Sequence, residues 1–394
     1  METYGSADLK GPLRLLRAAA FLSNFDRFTV APMLVTIAAD LRVTLAQVAI
    51  VASLYFLLYG LMQPVWGMLS DRLGRVQVMR LTLLAVVVPG LLSALAPNLP
   101  VLVVGRALAG GLFSAVIPAA LVYIGDTVPI SFRQKALADQ LAAGAVAIAL
   151  ATVAAGLAAY LGLWRLVFAA PVLAAGVLGL LLARRLPEPE KEGGGAGPLA
   201  QVRLIVRRPW AVLVVLLALV EGGVILGFLI YLAPSLEATG YSAAISGLAV
   251  GLYGLATLVW TQVLKRISDR LDRYALILIG GALLALGYAA GALDRHLPGT
   301  ALAAILVGGG FAFMHSTLQT WATQVVPEAR ASVIAFFAAA LFAGSGIATT
   351  AVAPLAEAHS FGLLFAVAAL IAVPLGLLGG LARLRYDRKQ PDRP

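Results

Sequence analysis

Five ionisable side chains lie deep inside long apolar stretches of this 394-residue chain: Asp26, Arg27, Arg106, Glu221 and His315. Each charge at the centre of a bilayer costs about 2.5–3.5 kcal/mol on insertion scales, so several together imply a use. A carboxyl or imidazole in that setting can take up and release a proton, and a guanidinium can neutralise a carboxylate or hold an anionic group. Asp26 follows about thirteen residues of its apolar run, which at 1.5 Å per residue sets it near mid-bilayer. There it suits a protonation switch, a cation contact or a structural pair with Arg106. Arg27 is rotated about 100° from Asp26 on a helix, so it faces a neighbouring helix or an anionic substrate group. His315 reads either as a proton relay or as a plain hydrogen-bonding residue. Asn24, Tyr59, Gln63, Tyr123, Tyr231, Gln319 and Trp321 fall near these charges, as candidates to line a cavity for a small amphipathic molecule.

Other chemistry finds no support. The chain has no Cys, no H-E-x-x-H, G-x-S-x-G or P-loop pattern, and no His and carboxylate cluster at metal-ligand spacing. A membrane-embedded enzyme is the weakest of the readings, and neither a metal nor a cofactor is expected. Binding of nucleic acid is not expected either, since no basic stripe is interleaved with aromatics. The net charge of +10 has a simpler origin in the loops.

The elements that position these residues follow from composition. The chain is 61% hydrophobic and only 12% charged, with a mean hydropathy of +0.94, whereas soluble domains carry roughly 25% charged residues. A multi-pass membrane protein is implied. Apolar runs at about 13–39, 44–69, 76–96, 99–125, 131–161, 164–184, 209–236, 242–264, 274–293, 299–325, 329–356 and 360–382 predict twelve transmembrane helices. They must be helical, because lipid offers no partner to backbone N–H and C=O groups. Of the 29 Lys and Arg residues, Arg42, Arg165 and Arg295 fall in one set of loops, and Arg27 and Arg106 inside spans; all the others fall on the opposite side. The positive-inside rule then places both termini in the cytoplasm, in a cell (inner) membrane. The polar start, Met1 to Pro12, lacks the layout of a cleavable signal peptide.

The organisation is duplicated. Ser70-Asp71-Arg72-Leu73-Gly74-Arg75 matches Ser268-Asp269-Arg270-Leu271-Asp272-Arg273 at an offset that also aligns Val128-Pro129 with Val326-Pro327 and Thr44 with Ser242. The expected division is a six-helix bundle over 1–184, a cytoplasmic linker over 185–208 and a second bundle with a basic tail over 209–394. The linker holds the run Gly193-Gly194-Gly195-Ala196-Gly197-Pro198 and reads as a flexible spacer.

Gly67-Met-Leu-Ser-Asp71-Arg72-Leu-Gly74-Arg75, between two apolar runs, resembles the loop between helices 2 and 3 of the major facilitator superfamily. Gly105-Arg106-Ala107-Leu108-Ala109-Gly110-Gly111 resembles that superfamily's helix 4 motif, and Ile124-Gly125-Asp126-Thr127-Val128-Pro129 its exit from helix 4. The stretch from Ala31 to Gln47 is similar to the opening of the twelve-helix drug:proton antiporter and sugar-efflux branch. Ala151 to Gly156 departs from that branch in having no Pro ahead of Trp164-Arg165.

The resemblance implies an all-α fold of two six-helix pseudo-repeats with a substrate site between them, lined by helices 1, 4, 7 and 10, which are the helices carrying the five ionisable residues. It implies a role for Arg106 in proton handling. It also implies an inner gate in which Asp71, Arg75 and Asp126 form a charge cluster, with Asp71 against the start of helix 11 near Pro327 to Arg330; Gly67, Arg72, Gly74, Asp269 and Arg270 belong to the same duplicated motif. The function expected is secondary transport by a monomer, most simply proton-coupled efflux of a small molecule, with uptake symport or uniport as alternatives.

Overall fold

The computed structural model describes residues 10–189 and 198–389. Among the described residues every regular element is helical. The helices are α1 (Lys10–Phe28), α2 (Leu34–Leu41), α3 (Leu45–Leu73), α4 (Arg75–Ala94), α5 (Leu99–Thr127), α6 (Ile130–Tyr160) and α7 (Trp164–Arg185). The short α8 (Pro198–Val206) follows. Then come α9 (Pro209–Glu237), α10 (Ala243–Ile267), α11 (Arg273–Leu293), α12 (Leu297–Val325), α13 (Pro327–Glu357) and α14 (Phe361–Arg388). Eleven of these are long and apolar enough to cross a membrane.

The first apolar run is the exception to the expected twelve. It folds in two pieces, α1 and α2, around the 3-10 turn Ala31–Met33 that carries Pro32. Proline lacks the N–H that would continue the α-helical ladder. Lys10, Arg14, Arg17, Asp26 and Arg27 also make α1 far more polar than the other long helices. The expected linker differs as well: part of it, Pro198–Val206, is the helix α8, and the run Gly193 to Gly197 lies outside the described residues.

Helix starts bear out the duplication. Thr44 caps α3 with a full capping box, its Oγ1 accepting from Gln47 N and its own N–H donating to Gln47 Oε1. Its counterpart Ser242 caps α10 by accepting from Ile245 N. Each such cap satisfies amide donors that the first turn leaves unpaired. Packing repeats too. Trp66 Nε1 donates to the Gly111 carbonyl and Trp260 Nε1 to the Ile305 carbonyl, both across 45 residues.

The N-terminal half, α1 to α7, meets the C-terminal half, α9 to α14, along two seams, α3 on α13 and α6 on α10. On the first, Ala46 N donates to Glu357 Oε2, Phe56 stacks on Phe342, and a methyl group at Gly60 would lie 2.7 Å from the Ala339 carbonyl oxygen. On the second, Gly156 and Gly247 cross so closely that a side chain on either would collide with the other helix's backbone. Small residues at a crossing let apolar helices associate through backbone packing in lipid. These approaches run from the ends of α3 and α6 remote from Gly67 to the helix midpoints. Toward the other end, a side chain at Gly67 would meet no atom within 4 Å.

Candidate functional site

Asp26 and Arg106 meet at the centre of the N-terminal half. Arg106 Nη1 donates to Asp26 Oδ1 at 2.7 Å and Nη2 to the Asp26 carbonyl at 2.9 Å. Both side chains are 0% exposed. The guanidinium is also sandwiched, with Cζ 4.5 Å from the centre of the Tyr55 ring and 4.6 Å from that of Phe168. Burial of the pair is tolerable because the charges cancel and two ring faces replace lost hydration on the cation.

Arg27 turns away from Asp26 toward the seam with the other half. Its Nη2 donates to Asn24 Oδ1. Three aromatic rings surround it at 5.1–5.2 Å, Phe28, Tyr59 and Phe342. Tyr59 is held from below by Ser23, whose Oγ lies 3.3 Å from the phenol oxygen.

In the C-terminal half, Glu221 on α9 faces His315 on α12, Oε2 to Nδ1 at 3.4 Å. Glu221 is fully buried, and its other oxygen, Oε1, has no partner. His315 stacks on Phe311 with ring centres 4.6 Å apart. Each residue adjoins a π-helical turn, Gly223–Gly227 after Glu221 and Phe311–His315 itself. Such a turn inserts one residue into the helix and frequently accompanies function. The backbone of α9 reaches α13 at Gly222 and Gly344, where side chains would overlap Leu341 and Leu219 carbonyls.

Between the halves lies a cavity of about 20 Å³ bordered by Arg27, Phe28, Tyr55, Phe56, Leu226 and Val250 among others. That is room for about one water. The remaining predicted lining residues divide. Asn24 and Tyr59 contact Arg27, and Gln63 is buried on α3. Gln319 is exposed one turn beyond His315. Tyr231 donates its hydroxyl to the Thr349 carbonyl and so ties α9 to α13. Tyr123 is buried low on α5. Trp321 lies away from the cavity, in a cluster with Trp210 and Tyr386 over the buried Arg383.

The Gly67 to Arg75 motif forms a charge chain in the N-terminal half. Arg75 Nη2 pairs with Asp71 at 3.1 Å and Nε with Asp126 at 3.4 Å. Asp71 is 73% exposed. At the start of α13, the expected partner of Asp71, Glu328 is 3.7 Å from Arg208. Gly74 has φ +116°, a conformation that favours glycine. Its second-half counterpart, Asp272, opens α11 at φ −62°. Asp269 and Arg270 lie in the turn from α10 to α11.

Sequence reasoning missed Glu188, taken as part of a spacer. Its carboxylate accepts from Val76 N at 3.1 Å and Gln77 N at 2.9 Å, capping α4 directly behind Gly74. The signal available was a carboxylate just past the end of a helix.

Known proteins share this architecture. The model of the Major Facilitator Superfamily matches residues 17–349 and 224–393. Over 170 residues the chain is 28% identical to the uncharacterized MFS-type transporter YfhI of Bacillus subtilis (strain 168), a match that covers 42% of each protein. A bacterial homolog of the human lysosomal transporter Spinster has the same fold, with a TM-score of 0.78 at 17% identity over 97% of this chain and 99% of that one. A D-xylose-proton symporter follows at 0.74 and 17% identity, over 94% and 97%. With the family match extending along almost the entire helical chain, this multi-pass membrane protein belongs to the major facilitator superfamily of transporters.

Proposed function

We propose that this protein moves a small amphipathic molecule across the cell membrane by alternating access, in exchange for protons, with both termini in the cytoplasm. The observation that carries the reading is the contact of Glu221 on α9, fully buried, with the partly buried His315 on α12, two groups that can both titrate. A carboxylate and an imidazole can each change protonation, whereas the guanidinium facing Asp26 cannot. Glu221 and His315 therefore couple protons, and Asp26 with Arg106 sets the shape of the cavity.

The moving parts are two units, 1–184 and 209–394, joined by 185–208 and rocking about the glycine crossings of α3 with α13 and α6 with α10. Asp71, Arg75 and Asp126 belong to the cytoplasmic gate, and Asp71 engages the positive end of α13 when that side closes. The protein acts as a monomer and performs no covalent chemistry. Uptake symport or uniport is the second reading, favoured by the absence of Pro from Ala151 to Gly156.

Reconstitution in liposomes with a pH-sensitive dye inside tests this. Solute flux is expected to move protons the opposite way and to accelerate under an imposed pH gradient, and Glu221→Gln to abolish both effects. Protons and solute moving together would favour symport; flux indifferent to pH would favour uniport. The chain has no cysteine, so single labels placed on each side report Asp71→Asn directly. A shift in which side is accessible supports the gate, and unchanged labelling removes it.

A further inference from the structure

We infer that Arg27 is the docking group for an anion, so that the molecule carried is an amphipathic anion rather than a cation or a neutral compound. The inference rests on the transport reading above and adds the chemical class of its substrate.

Of the five deep ionisable residues, four are matched. Asp26 neutralises Arg106 at 2.7 Å, and Glu221 faces His315 at 3.4 Å. Arg27 is the one left over. Among the described residues no carboxylate lies within ion-pair distance of it, and its Nε has neither a hydrogen-bond partner nor exposed surface. Its polar neighbour, Asn24 Oδ1, is uncharged. That amide is fixed in turn: Nδ2 donates to the Ala20 carbonyl at 2.9 Å, and Gly144 leaves it the space that a side chain would occupy.

What surrounds the cation is aromatic. Phe28, Tyr59 and Phe342 lie 5.1–5.2 Å from the guanidinium carbon. Ring faces stabilise a positive charge while offering it no hydrogen-bond acceptor of the strength of a carboxylate. Arg27 is thereby held in an apolar place with donor capacity to spare. A carboxylate or sulfonate satisfies it through charge-assisted, fork-shaped hydrogen bonds. An ammonium is repelled, and a neutral analogue leaves the site unchanged.

The location suits a carried molecule rather than a structural ion. Arg27 borders the cavity between the halves beside Phe28, Phe56, Leu226 and Val250. Two of its rings belong to the N-terminal half and the third, Phe342 on α13, to the other. The ring of Phe342 also packs on Phe56 and Tyr59 of α3. An anion entering here brings an apolar body against these rings at the seam that must part during transport.

Three probes of one skeleton separate the possibilities: 1-naphthylacetate, 1-naphthylethylammonium and 1-naphthylethanol. Binding to the purified full chain in nanodiscs is measured by thermal shift and equilibrium dialysis. The anion is expected to bind at least about tenfold more tightly than the other two, with that preference lost in Arg27→Gln. Arg27→Lys, which keeps the charge and loses the fork, is expected to retain part of it and covers the case in which Arg27→Gln does not fold. Equal binding of the three probes, binding by none, or an anion preference that survives Arg27→Gln each overturn the assignment. Liposome flux keeps the two ideas apart. Carriage of the ammonium or the alcohol leaves transport standing and removes the anion site. Arg27-dependent binding of the anion with no flux of any probe does the reverse.

Discussion

The two halves repeat in their caps and turns, yet they handle buried charge in opposite ways. In the N-terminal half Asp26 and Arg106 make two hydrogen bonds, are wholly buried and lie between two rings. In the C-terminal half Glu221 and His315 make one longer contact beside two π-helical turns, and in each half the carboxylate keeps one oxygen, Asp26 Oδ2 or Glu221 Oε1, without a hydrogen-bond partner. Because a guanidinium keeps its proton whereas both members of the other pair can titrate, the function proposed above makes the first pair a fixture and the second a switch. The turns differ in the same sense. Gly74 is clasped by Glu188 in a conformation that favours glycine, and Asp272 sits in an ordinary one. The two similar bundles thus hold their buried carboxylates differently, against a guanidinium in one and against an imidazole in the other.

The largest expected effect falls on the fixture. Arg106→Met leaves the Asp26 carboxylate buried and unpaired, at a cost of about 3–5 kcal/mol in unfolding free energy. Asp26→Leu combined with Arg106→Met should recover most of that loss, because two apolar groups replace both charges. Unfolding in detergent measures both. Equal stability of the single and double variants would mean that the pair is not the unit described here.

Next is the scaffold of the switch. A side chain at Gly222 collides with the Leu341 carbonyl, so Gly222→Ala must push α9 from α13 and displace Glu221. About 1–3 kcal/mol of destabilisation is expected, the range for overpacking. A thermal midpoint equal to the wild type would show that α9 does not rest on α13 as placed.

Much of this contrast was legible in one dimension, and the reason is physical. Ionisable residues in apolar runs stand out because lipid penalises them, so all five were nominated from sequence. The Gly74 and Asp272 difference was visible too, but not its cause, a backbone angle of φ +116°. What stayed hidden was direction. Lipid and protein interior are equally apolar, so a membrane helix shows little of the amphipathic period that marks the inward face of a soluble one. Hence Trp321, expected at the cavity, packs on Trp210 and Tyr386 instead, and Tyr231 is spent on the Thr349 carbonyl. Contacts across long sequence distances were equally out of reach, Glu188 on the start of α4 above all. The break in the first run falls at the turn that holds Pro32, a residue that can either kink a helix or end it.

The turns give a smaller and paired test. Gly74→Ala forces a side chain into a positive-φ extended conformation that is essentially reserved for glycine, about 1–3 kcal/mol, and against the Glu188 carboxylate that caps α4. Asp272→Ala, at the same place in the repeat, should stay within about 0.5 kcal/mol because no special angle or side-chain cap is lost. Matching losses at the two sites, read from thermal unfolding of the single variants, would erase the asymmetry between the turns.

The smallest change in stability is expected where the functional change is greatest. Glu221→Gln keeps the shape of the side chain and removes its capacity to titrate, and an imidazole at His315 can present either a donor or an acceptor to the new amide. One hydrogen bond is exchanged for another, so unfolding should shift by no more than about 1 kcal/mol. Proton uptake or release on ligand binding, followed by calorimetry in buffers of different ionisation enthalpy, should vanish in this variant. It should persist in Asp26→Asn, even though that variant, by stranding Arg106, is the less stable of the two. The reverse outcome, protons lost with Asp26 and kept without Glu221, would exchange the fixture and the switch between the halves.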